Sequence, residues 1–244
     1  MSKLDIAPTV GAPERLDREL TIAILRGQYL AGSRLPTVRE LAAEAGVNPS
    51  TVQRAVARLE QKGLVTARQG SGLLVNDPTE VADLGLLPEW LAATADDPQR
   101  AARLLAEFLE IRRIMASRLL AEHRAAVLEA LGSLPSDVLA FDQMAPDEAW
   151  RADLDVARRI IVATGNHAAL LMLNTVSNAL AELPVLRQAL YGDPSRNGAS
   201  FGRTVELMAE GRSDLAERLE AEIAEVDAQS VAAFEQLLAT EGQR

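Results

Sequence analysis

The chain has 244 residues, 48% of them hydrophobic and 25% charged, enough apolar material for two globular domains, and with no cysteine it can form neither disulfides nor thiolate metal sites. No apolar run reaches the length of a membrane span and the opening MSKLDIAPTVGAPE lacks the apolar core of a signal peptide, so a soluble cytoplasmic protein with no membrane partner is expected. The formal charge of -10 is unevenly spread, with nine Lys and Arg against six Asp and Glu over residues 14–75 and fifteen against twenty-eight over residues 76–244, the asymmetry expected when one module touches nucleic acid.

Residues 1–13, with Pro8, Gly11 and Pro13 and no periodicity, read as a flexible arm. Leu16, Leu20, Ile24 and Leu25 then recur at helical spacing until Gly27, and GQYLAGSRLP breaks the pattern. Thr37 and Glu40 form a T-x-x-E capping box that starts a second helix. Gly46 closes it in a left-handed turn, and Asn48 with Pro49 supplies the N-cap and first-turn proline of a third. Along that third helix Val52, Ala55, Val56 and Leu59 share one face, while Ser50, Arg54 and Gln61 lie opposite, flanked by Thr51, Gln53 and Arg58. Gly63 ends it, and LVTARQGSGLLV reads as two short strands round a glycine-rich turn.

Helix, helix-turn-helix and two-stranded wing in that order predict a winged helix over residues 14–75. The second helix of a helix-turn-helix enters the major groove. Ser50, Thr51, Gln53 and Arg54 carry groups that read base edges, arginine on guanine and glutamine on adenine. Arg39 and Asn48 suit phosphate or helix-edge contacts, and Arg34, Arg58 and the wing residues Arg68 and Gln69 complete the candidate DNA-binding face.

After a linker at 76–80 the pattern is helical to the end, so residues 81–244 are expected to form an all-α antiparallel bundle of six to seven helices. Its main helices are expected at 99–131, 136–143, 147–164, 167–189, 198–210 and 213–240. Arg112 has Phe108, Leu109, Met115 and Ala116 as helical neighbours, and Asp153 has Ala149, Trp150, Val156 and Ala157. Both should point inward, to pair with each other or to meet a ligand. Arg113 and Asp155, ringed by polar neighbours, should face solvent. Asn174 and Asn178 make a polar stripe suited to interhelical bonding or to a ligand. Two isolated histidines, His123 and His167, and no phosphate-binding glycine loop leave no nucleophile and base to assign, so no enzyme is expected.

The stretch AILRGQYLAGSRLPTVRELAAEAGVNPSTVQRAVARLEQKGLVTARQGSGLLV resembles the DNA-binding domain of the GntR family of bacterial transcription regulators. The resemblance implies a homodimer on a palindromic double-stranded operator. Pro49 stands where an arginine usually follows the helix cap in the FadR branch, so no operator sequence carries over. The pieces FLEIRRIMASRLLAEH, DLDVARRIIVATGN and FGRTVELMAEG resemble the ligand-binding (FCD-type) domain of the FadR/VanR branch. Many of its members hold a metal on one aspartate and three histidines. The resemblance puts Asp153 at the first position and Ala157, Phe201 and Glu222 where histidines stand, so no metal and no cofactor are expected. Loss of those ligands resembles the fatty-acid-responsive FadR-like members, and Ala157 and Phe201 add apolar volume. The effector-binding set is then Arg112, Asp153, Ala157, Asn174, Asn178 and Phe201. The expectation is a repressor of lipid metabolism released by a long-chain acyl-CoA or fatty acid, with a small organic acid in a metal-free pocket as the alternative.

Overall fold

The computed structural model describes residues 11–68, 70, 72–133 and 144–241, without the side chains of residues 176 and 178–180. The chain is mostly α-helical and divides into two compact units, Met1–Asp96 and Asp97–Arg244.

In the first unit α1 (Ala12–Leu25) begins with a proline in its first turn, which is preorganised for a helix start and draws Ala12 and Pro13 out of the expected arm. α2 (Val38–Ala45) and α3 (Pro49–Gln61) follow. The capping box is complete: the Glu40 amide donates to Thr37 Oγ1 at 3.3 Å and the Thr37 amide donates to the Glu40 carboxylate at 2.7 Å. Gly46 closes α2 at φ +62°, a conformation that costs an L side chain dearly and glycine little. The wing pairs β1 (Val65–Arg68) with β2 (Gly72–Val75) antiparallel, Val65 opposite Val75 and Arg68 opposite Gly72. Arg34 adds a bridge to Leu74.

The apolar stripe of α3 sits on α1: Val52, Ala55 and Leu59 are fully buried and share a core with Leu16, Leu20, Ile24 and Leu64. Each large aliphatic side chain so buried contributes about 1.5–3 kcal/mol. That core also takes in Leu86, with Val81 and Ala82 against it. The segment expected to be linker and bundle is therefore part of the first unit. It forms α4 (Pro78–Val81), a 3-10 turn at Leu84–Leu86 and α5 (Leu87–Thr94), which packs on α1. Arg26 fixes the end of α5, donating to the carbonyls of Ala93 and Ala92 at 3.1 and 3.3 Å and pairing with Asp96 at 2.9 Å.

The second unit holds α6 (Pro98–Glu122), α7 (Arg124–Gly132), α8 (Pro146–Thr164), α9 (His167–Ala181), α10 (Pro184–Tyr191), α11 (Pro194–Glu210) and α12 (Leu215–Glu241). The two long helices α6 and α12 pack along one another, α10 and α11 lean on α12, and α8 bridges α7, α9 and α10. Two helices expected as continuous are broken. The first breaks at His123, which leaves helical backbone geometry, and the second before Pro184, where proline can neither donate a backbone bond nor fit against the preceding turn. α11 starts four residues earlier than expected because Asp193 caps it, accepting from the Arg196 amide at 3.0 Å, with Pro194 in its first turn. The helix expected at 136–143 lies outside the described residues.

Candidate nucleic-acid interface and effector cavity

On the recognition helix α3, burial of Val52, Ala55, Val56 and Leu59 turns Ser50, Gln53, Arg54 and Arg58 to the exposed face. Thr51 departs from the expectation: it is 7% exposed and counts with the buried face, so it packs the helix rather than presenting a hydroxyl to a base. Arg58 is exposed but tied back, its guanidinium paired with Glu14 of α1. Asn48 supplies the N-cap backbone but its side chain makes no capping bond, which leaves the amide group to the outside. Arg34, Arg39 and Arg68 are exposed on the bridge strand, α2 and β1. Gln69 lies outside the described residues. Among those residues no carboxylate pairs with Arg34, Arg39, Arg54 or Arg68, so their charge is available to a polyanion.

At its C-cap α3 is anchored by Lys62. Its ammonium donates to Asp17 at 3.0 Å, to Thr21 at 3.2 Å and to Glu89 of α5 at 3.2 Å. Burial pushes the Asp17 carboxyl above its usual range, and Lys62 is the chief influence pulling it back.

In the second unit a cavity of about 190 Å³ lies among α6, α8, α10, α11 and α12. Arg112, Asp153 and Phe201, all expected effector residues, line it together with Tyr191, Asp227 and Ser230. Ala157 and Asn174 are not part of its wall; Asn174 instead accepts from Arg158 at 3.1 Å. The Asn178 side chain lies outside the described residues.

Arg112 and Asp153 do not form an ion pair. Arg112 bonds Asp227 at 2.6 Å, and Arg113 reaches the second oxygen of the same carboxylate at 3.2 Å. The expected orientations of the two arginines are reversed in degree: the Arg113 side chain is 17% exposed and that of Arg112 45%. Both bond Asp227, 4% exposed, a buried carboxylate whose two oxygens are thereby each met by a guanidinium. Asp153 accepts from the Tyr191 hydroxyl at 2.6 Å. Burial raises the pKa of the Asp153 carboxyl, against the pull of that hydrogen bond and of Arg112, and raises that of Tyr191 well above its ordinary value.

Asp227, Arg113 and Tyr191 were missed in the sequence. Asp227 was open to the rule applied to Arg112, since Ile223, Ala224 and Val231 are among its helical neighbours; Tyr191 sits at a helix end, where periodicity is silent. A transition metal does not fit here. Asp153 faces Arg112 and Tyr191, Glu222 is engaged by Ser200 at 2.9 Å and Arg203 at 2.7 Å, and among the described residues no three of His, Cys, Asp and Glu gather. Among them, too, no helix is long and apolar enough to cross a membrane.

A winged helix with a basic recognition face, joined to a helical unit, defines a class of DNA-binding transcription regulator. The family model described as bacterial regulatory proteins, gntR family, matches residues 13–75. The HTH-type transcriptional regulator Rv0494 of Mycobacterium tuberculosis is 33% identical over 174 residues, 68% of this chain and 67% of that one. The transcriptional repressor NanR of Klebsiella aerogenes is 31% identical over 160 residues, 63% of this chain and 58% of the repressor. The solved structure of Lar, which controls expression of the Listeria monocytogenes agr system, aligns over 92% of this chain and 98% of its own with a TM-score of 0.50 at 18% identity, a likeness of fold. The chain belongs to the GntR family of transcription regulators.

Proposed function

We propose that this regulator binds its operator as a homodimer through α3 and the wing, and that its helical unit receives a small polar organic acid which alters operator binding. The observation that carries the effector class is the cavity. At about 190 Å³ it falls below the roughly 300–1,000 Å³ of pockets for drug-sized ligands, and Arg112, Asp153, Tyr191 and Asp227 stand on its wall. A long-chain acyl group, the first expectation from the FadR-like resemblance, would set hydrocarbon against Arg112 and Asp153 and take water from the hydrogen-bonding sites that Asp227 and Tyr191 leave open on them. Leu190, Ile223 and Val226 supply an apolar side to the same cavity, which suits the carbon skeleton of a small acid.

The experiment is a gel shift on the duplex that the full-length protein selects from a random pool, with small organic acids and palmitoyl-CoA titrated in parallel. Change of operator affinity by a small acid, with palmitoyl-CoA inert, is the expected result. Release by palmitoyl-CoA alone restores the fatty-acid reading and removes this one.

A further inference from the structure

The cavity has two poles of opposite sign. At one, Arg112 gives Nη2 to Asp227, and among the described residues its other guanidinium hydrogens have no partner, so a side chain with five donors keeps an open edge. Arg113 stands behind the same carboxylate, and the Arg112–Arg113–Asp227 trio carries a net positive charge. At the other pole Asp153 takes one bond from Tyr191 on Oδ2, and among the described residues Oδ1 has no donor. Both Arg112 and Asp153 line the space between.

These features select on charge. A dicarboxylate that puts one end on Arg112 sets the other against Asp153, at a like-charge cost beside a buried carboxylate. A simple amine meets Arg112. A ligand bearing both signs a few atoms apart satisfies both poles, with each of its charges in a charge-assisted hydrogen bond. We infer that the effector is a small zwitterion of the α-amino acid class, its carboxylate on Arg112 and its ammonium on Asp153. This deepens the reading of the helical unit as a receptor for a small acid and rests on it. An ammonium beside Asp153 also offsets the burial that raises the pKa of its carboxyl, so binding releases protons wherever the free site is partly protonated.

The test is differential scanning fluorimetry of the full-length protein with the twenty proteinogenic amino acids, lactate, glycerate, succinate and palmitoyl-CoA, followed by calorimetry of whatever stabilises. At least one amino acid raises the melting temperature by several degrees at millimolar concentration, and its α-hydroxy counterpart does not. Asp153→Asn, which keeps an acceptor for Tyr191, weakens that amino acid by roughly tenfold to a hundredfold. Calorimetry in buffers of different ionisation enthalpy reads the released proton. Stabilisation by a hydroxy acid or succinate and by no amino acid overturns the zwitterion while the small-acid receptor stands. Stabilisation by palmitoyl-CoA alone overturns both.

Discussion

Arg54 and Arg58 lie four residues apart on the recognition helix and are both exposed, yet their surroundings give them different roles. Arg58 is held by Glu14, so reaching DNA means giving up an existing ion pair, whereas no described carboxylate competes for Arg54. Arg54→Ala should therefore cost about 1–3 kcal/mol on the selected operator and relax preference at one base position. Arg58→Ala should cost less. Arg39→Ala should weaken binding on all duplexes and lower the salt slope by about one per protomer; titrations at graded salt separate the three. In the cavity the informative residue is Asp153, whose pKa is raised above the ordinary 3.8 chiefly by burial. The folded protein then binds more protons than the unfolded one in the window above 3.8, so this group's contribution to stability is present at low pH and is lost as pH rises through its folded-state value. Asp153→Asn removes that loss. Its melting temperature relative to wild type should climb from pH 4 to pH 8, and a difference constant with pH would show that burial is not felt at this carboxylate.

Capping shows how much a helix owes to its first turn. Thr37→Ala removes a side-chain acceptor from the start of α2 and should destabilise the protein by about 1 kcal/mol, measured by denaturant titration. At the other end of the helix-turn-helix, Lys62→Met strands Asp17 and Glu89, both buried, and should cost about 3 kcal/mol at neutral pH. Because Lys62 is what opposes the raised pKa of Asp17, the cost should shrink as pH falls and the carboxyl takes a proton. α2, α3 and the wing were legible because capping box, glycine stop and Asn-Pro restart are local signals that packing reinforces. The break at Pro184 had its signal in the proline itself. The break at His123 had none: neither glycine nor proline interrupts the apolar pattern there. Nor did periodicity tell which unit would bury α5, since Leu86 and Leu91 would fill either core and tertiary packing settled it in favour of α1. In the cavity Arg112, Asp153 and Phe201 were found from their apolar neighbours and from resemblance, but Asp227 changes what the arginine does, and a pairing across helices has no local signature.

At the scale of the whole molecule, a cavity in one unit matters to DNA held by the other only through states that differ in affinity for both. A ligand that binds the operator-competent and released states equally shifts nothing, however tightly it binds. If the stabilising small acid weakens operator binding a hundredfold, the coupling is about 2.7 kcal/mol, and linkage requires the same factor in reverse. Saturating operator duplex should then weaken the acid's affinity for the protein a hundredfold, as measured by calorimetry with and without DNA, and any variant that lowers one factor should lower the other equally. Salt should move operator affinity steeply, because the exposed arginines of the first unit meet phosphates. It should leave the acid's affinity for free protein much less changed, since a small zwitterion releases far fewer counterions than a run of phosphates. An apparent acid affinity that keeps falling as operator concentration rises, with no plateau at the reciprocal factor, would mean that the acid competes for the DNA face itself, and the cavity would have no part in the switch.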